Sequence, residues 1–132
     1  MQLKDYFEKT DGIGVLSTAD AGGRVDAAIY SRPHVMEDGT VAFVMRDRLS
    51  RHNLLENPSA VFLFVEEGRG YKGLRLFLEK TGEETDNELI EQMTRRCLSK
   101  EEDEARGPKF LVTFEIKKML ELIGDGQPDV TL

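Results

Sequence analysis

The first apolar positions, Leu3, Tyr6 and Phe7, share one face of a short helix over residues 3–10. Strand patterns follow. Ile13 to Thr18 predicts a first strand, and Asp20-Ala21-Gly22-Gly23 a tight turn. From Arg24 to Val35 the chain alternates, with Val25, Ala27, Ile29 and Ser31 on one face, which predicts one long second strand. Glu37-Asp38-Gly39-Thr40 has the Asp-Gly chemistry of a hairpin turn, and Val41 to Met45 reads as a third strand. Between Arg48 and Glu56 the period becomes helical. That helix stops at Asn57-Pro58, because proline disfavours helical geometry in the residue before it. Ser59 to Val65 and Leu74 to Leu78 are two further strands around a glycine-rich turn.

Thr85-Asp86-Asn87-Glu88 fits a capping box, and Leu89, Ile90, Met93 and Cys97 follow at helical spacing. This predicts the one substantial helix over 86–104, ended by Gly107-Pro108. Phe110, Val112, Phe114 and Ile116 then alternate over Leu111, Thr113 and Glu115, a half-buried strand. Met119 to Ile123 suggests a last short strand, and the tail after Gly124 is expected to fray. Hairpin-length connections favour an antiparallel sheet. Six or so strands in one domain over 1–132 would close or half-close into a barrel with helices at its ends: mainly β with α, the α+β class.

Length and charge narrow the function. At 132 residues the chain is one domain, long enough to bury about two-thirds of its unfolded surface. A net charge of −7 argues against a general nucleic-acid binder or a polybasic membrane binder. The single cysteine, Cys97, rules out an intramolecular disulfide and fits a reducing compartment. The first residues are charged and lack an apolar targeting core. The longest apolar run, Ala60 to Val65, is far short of the ~20 residues of a spanning helix. A soluble cytoplasmic protein is the expectation. Residues 83–104 hold nine acidic and three basic side chains, which is −6 of the −7. The remainder is nearly neutral, and Arg46-Asp47-Arg48-Leu49-Ser50-Arg51-His52 is locally positive, a setting suited to a phosphorylated ligand.

Most other motifs yield little. Gly68-Arg69-Gly70-Tyr71-Lys72-Gly73 matches G-x-G-x-x-G but leads into a strand, so it reads as a turn rather than a dinucleotide site. His34, His52 and Cys97 fall on three separate elements without metal-ligand spacing. Cys97 sits on the apolar stripe of its helix, as a core residue would. No nucleophile–base motif is present. The stretch from Arg46 to Asn53 differs, because it passes from a strand end into a helix start, where backbone N–H groups favour an anion. Arg46, Arg48 and Arg51 can add charge-assisted hydrogen bonds there, and Ser50 a hydroxyl.

Three stretches, taken in order, carry a resemblance. They are Gly14-Val15-Leu16-Ser17-Thr18-Ala19-Asp20, Gly23-Arg24-Val25-Asp26-Ala27-Ala28-Ile29-Tyr30, and Val41 through Arg46, Arg48 and Ser50 to Asn57-Pro58. Together they resemble the pyridoxamine 5′-phosphate oxidase-like, FMN-binding split-barrel superfamily over about residues 1–80. The resemblance implies a six-stranded antiparallel split barrel acting as a homodimer, with FMN at the subunit interface. Ile29, Tyr30, Ser31 and Arg32 would line the isoalloxazine and ribityl side. Val44 and Met45 would present backbone to the flavin ring. Arg48, Leu49, Ser50 and Arg51 match the family's phosphate-binding turn, with Ser50 where the family often has lysine. Lys72 or Arg75 of the partner chain would close the site.

The chain departs from true pyridoxamine 5′-phosphate oxidases. It has no tryptophan, and its C-terminus lacks their arginine- and tryptophan-containing motif, which argues against vitamin B6 oxidation. Three functions stand open at the sequence level. The first is an FMN-dependent oxidoreductase acting on a small molecule. The second is the same barrel holding a deazaflavin or haem, with His34 or His52 as the only histidines for an iron. The third is a non-catalytic interaction domain that uses its acidic helix.

Overall fold

A computed structural model describes residues 1–85, 88–93 and 107–132. In chain order the elements are α1 (Leu3–Lys9), β1 (Gly12–Ala19), β2 (Val25–Tyr30), β3 (His34–Val35), β4 (Val41–Arg46), α2 (Leu49–Glu56), β5 (Ser59–Glu66), β6 (Gly73–Glu84), α3 (Glu88–Met93) and β7 (Lys109–Glu121). All seven strands form one sheet in the order β2-β1-β5-β6-β7-β4-β3, and every neighbouring pair is antiparallel. The sheet curls into a half-barrel. β6 and β7, the longest strands, supply the bend through two register shifts, at Phe77/Leu78 and Lys80/Gly82.

The expected count of six strands becomes seven because the predicted second strand breaks. Proline cannot donate a ladder hydrogen bond, and Pro33 falls inside that run. Beside it, Arg32 leaves the strand and donates to the carbonyls of Phe7 (2.8 Å) and Thr10 (2.7 Å) at the end of α1. Beyond the break, His34 and Val35 pair with β4 through the Asp-Gly hairpin. Gly39 (φ +87°) supplies its left-handed turn position, and Asp38 accepts from the Thr40 amide and hydroxyl.

The concave side is filled by aromatic rings. Phe43, Phe62, Phe64 and Phe114 are essentially inaccessible and meet in tilted, edge-on and stacked pairs 5.1–6.3 Å apart. Gly14 exists for that packing, since a Cβ there would lie 2.4 Å from the Phe62 ring. Leu3, Tyr6 and Phe7 of α1 cap the core, and the Tyr6 hydroxyl donates to Glu66 (2.7 Å). Burial, then that carboxylate, push the Tyr6 phenol above its ordinary pKa. The tail expected to fray is docked instead. Val130 enters the core, the Leu3 amide donates to the Thr131 carbonyl, and the Thr131 amide donates to Met1.

The convex side has two characters. Against β4 and β7, α3 places Ile90 on Ala42 and Leu111, which are buried. The rest of the helix expected over 86–104, Cys97 included, lies outside the described residues, as do two members of the capping box. On β2, β1 and β5 the pairings align Ile29 with Val15 and Leu63, and Val25 with Ala19. Thus the face shared by Val25, Ala27 and Ile29 is the outer one. Val25 is 82% and Ile29 72% exposed.

The sheet's two edges, β2 and β3, are neighbours in sequence, so the barrel is split between them. Tyr30 crosses the gap, its ring 6.0 Å from that of Phe43 on β4.

Candidate functional site

The positive segment lies beside this split. Arg46 ends β4, its carbonyl accepts from the Arg48 amide (2.9 Å), and the chain turns into α2 with Arg48 as N-cap. The Arg48 side chain makes no capping hydrogen bond, and the first turn of α2 contains no acid. The carbonyl of Arg48 accepts from His52, which leaves the amides of Leu49, Ser50 and Arg51 as the orphan donors of a helix start. On its inner side α2 is held by Asn53, whose amide donates to the buried Thr18 hydroxyl (3.0 Å).

Three residues expected at the site meet here. Ser50 is buried, and its side chain lies close enough to Tyr30 to pull against the rise of the phenol pKa. Arg48 is exposed, near enough to bias the Tyr30 phenol electrostatically, and forms no ion pair among the described residues. Burial raises the Tyr30 pKa and nearby Asp26 adds to this, while Ser50 and Arg48 pull it the other way.

Backbone on β4 is also exposed to the split. The Met36 amide donates to Thr40, so Thr40, Ala42 and Val44 in turn direct their peptide groups toward β3. β3 pairs only as far as Ala42, which leaves the Val44 peptide facing an open strand edge. Met45 directs its peptide toward β7, and its side chain is in the core.

Other expected residues are placed differently. Arg51 is surrounded by partners: Nε and Nη2 donate to Glu83 (2.6 and 3.1 Å), Nη1 donates to Asp47 (2.8 Å), and the guanidinium lies 3.7 Å from the Phe110 ring centre. Asp47 is also 2.8 Å from His52 Nε2. Hydrogen bonds from His52 and then Arg51 hold the Asp47 carboxyl below its usual range, and Arg51 does the same to Glu83. Arg32 serves the end of α1, Ile29 faces outward, Ser31 and Leu49 are exposed.

Lys72 and Arg75 lie at the far end of β5 and β6 from α2, since Val65 pairs with Gly73 there while Ser59, just after α2, pairs with Glu79. Within one chain they do not join the site. Arg75 donates to the carbonyls of Glu121 and Gly124, and Lys72 is exposed on the hairpin tip.

No family model matches this sequence, and no curated protein matches it either. Solved structures do. An FMN-binding protein from Syntrophomonas wolfei aligns with a TM-score of 0.73 at 18% identity, over 93% of this chain and 85% of that one. HutZ, the haem storage protein of Vibrio cholerae, aligns at 0.67 and 20%, over 91% and 94%. An F420 reductase aligns at 0.65 and 11%, over 90% and 97%. Structures from Lactobacillus delbrueckii and Listeria innocua that carry the pyridoxamine 5′-phosphate oxidase name share the architecture. The chain has the fold of the pyridoxamine 5′-phosphate oxidase-like split barrels. At these identities the likeness establishes the fold, and split barrels of this shape hold more than one cofactor.

Sequence reasoning missed Glu83, Asp47 and Phe110 as the partners of Arg51. Asp47 and Arg51 stand four apart at the start of α2, a spacing that signals an ion pair. Glu83 is 32 residues away, and no local pattern reveals it. Among the described residues no His, Cys, Asp and Glu side chains group to hold a metal ion, and no helix is long and apolar enough to cross a membrane.

Proposed function

We propose that this chain is a cytoplasmic FMN-binding flavoprotein, an oxidoreductase acting as a homodimer on a small molecule. The observation that carries the reading is the meeting of Tyr30, Ser50 and the uncommitted Arg48 at an uncapped helix start, beside the open edge of β4. This donor set fits a phosphomonoester. The orphan amides of Leu49, Ser50 and Arg51 and the Arg48 guanidinium supply charge-assisted donors. The Val44 peptide offers a donor and an acceptor to the edge of a planar heterocycle.

When bound, FMN supplies hydride and electron transfer; the protein's share is binding and orientation. Arg48 and the first turn of α2 bind the phosphate. Buried Ser50 and Tyr30, whose ring packs edge-on against Phe43, form the inner wall. A second copy, packed on the apolar outer face of β2, β1 and β5, brings its Lys72 toward this site. Arg75 steadies the turn after β7 in that same partner.

The test is the absorbance spectrum of the purified protein, with the released small molecule identified by mass. A flavin spectrum is expected, and absence of flavin binding at micromolar concentration rejects the reading. Arg48→Ala should weaken FMN about tenfold or more and leave riboflavin unchanged, because only FMN carries the phosphate. Equal loss of both ligands would contradict the phosphate assignment.

Haem is the second reading, supported by the likeness to HutZ. It needs an axial ligand, and His52 is already engaged by Asp47 while His34 sits beside α1. The same spectrum separates haem, deazaflavin and flavin.

A further inference from the structure

The positive charge at the start of α2 is largely withdrawn from any ligand. Of the two arginines one helical turn apart, Arg48 is exposed and Arg51 is closed off. Glu83 grips Arg51 from β6 with both oxygens (2.6 and 3.1 Å). Asp47 takes a third N–H at 2.8 Å, and Phe110 covers the guanidinium plane. The Arg51 side chain is 16% and that of Glu83 21% exposed, so this pair is only partly screened by water. Two carboxylates offset one guanidinium, and the second carboxylate, Asp47, sits directly before the N-cap. A doubly charged phosphate there would meet Arg48, which forms no ion pair among the described residues, and the Asp47 carboxylate close by.

From this geometry we propose that Glu83 and Asp47 are specificity-determining residues that hold Arg51 away from the ligand and set how strongly the site favours a phosphorylated flavin. The inference rests on the FMN reading of the α2 site. Its consequence is a modest preference for FMN over riboflavin and a cofactor that exchanges. Arg51 acts as a positioning residue: it ties α2 to β6 and does not touch phosphate. Arg48 contributes side-chain charge.

The experiment titrates FMN, riboflavin and inorganic phosphate into the full chain and into Glu83→Gln, Asp47→Asn, Arg51→Met and the Glu83→Gln/Arg51→Met double variant. Near-ultraviolet circular dichroism confirms folding in each case. Glu83→Gln should tighten FMN and phosphate by about five- to tenfold, leave riboflavin unchanged and steepen the salt dependence of FMN binding. Asp47→Asn, which keeps the Glu83 contact, should tighten FMN by about twofold. The double variant should lose the gain of Glu83→Gln, and Arg51→Met alone should cost no more than about threefold.

The inference is overturned if Glu83→Gln leaves FMN and phosphate unchanged or weaker while Asp47→Asn also gives no gain. It is equally overturned if Arg51→Met alone costs as much FMN affinity as Arg48→Ala. If no flavin binds but phosphate tightens in Glu83→Gln, the FMN reading falls and the roles of Glu83 and Asp47 stand. If neither flavins nor phosphate bind any variant, both fall.

Discussion

Two parts of the convex surface are built from similar residues and end differently. Over β4 and β7, Ala42 and Leu111 lose nearly all contact with water, and Ile90 of α3 is buried against them. Over β2, β1 and β5, Ile13, Val25 and Ile29 are 60–82% exposed, with Val15, Val61 and Leu63 only half-buried beside them. The chain spends a helix on one half and leaves the other bare. Monomeric proteins rarely leave a contiguous apolar patch of this kind. The bare half is therefore where a second copy is proposed, and its strand register lets either chain present the same surface.

Mutations can break this comparison. The largest effect belongs to the sealed half. Leu111→Ala should cost about 2–5 kcal/mol of stability, read by denaturant unfolding, because it opens a cavity under α3. On the bare half, Val25→Asp with Ile29→Asp should leave protomer stability within about 0.5 kcal/mol and turn a dimer into a monomer by sedimentation. A dimer that survives both substitutions would move the interface elsewhere.

The smallest effect concerns pH. Glu83 has its folded pKa depressed below 4.5, chiefly by Arg51. Its contribution is complete above about pH 4.5 and is lost as pH falls through the lower folded value. Urea titrations should show a loss on acidification that Glu83→Gln does not share in full. This would mark the α2–β6 junction as the acid-sensitive seam, apart from both convex halves.

Much of the fold was legible because its signals are local. Asp38-Gly39 marked the hairpin that leads into β4, Asn57-Pro58 ended α2 at the expected place, short apolar runs located β1, β4 and β5, and alternation located β7. What escaped was set by distant residues. The extended reading of Arg24 to Val35 had no means of weighing Arg32 against the carbonyls that end α1. Alternation in β2 showed which residues share a face but not that Tyr30, on the opposite face, turns toward the core. The docking of Val130 and Thr131 depends on α1, more than a hundred residues away. At the candidate site the positive segment was visible, and the contrast between exposed Arg48 and captured Arg51 was not, because Glu83 is positioned by the long pairing of β6 with β7.

The break at Arg32-Pro33 has a mechanical side. Tyr30 and His34, on the two rims of the split, are four peptide steps apart, a tether that spans about 14 Å when fully drawn out. Arg32 anchors the middle of that tether to α1, so only part of its length is free to extend. The slit is therefore a gauge with a fixed maximum opening. While Arg32 holds the carbonyls that end α1, those two rims cannot part by more than the drawn-out length of the chain that joins them.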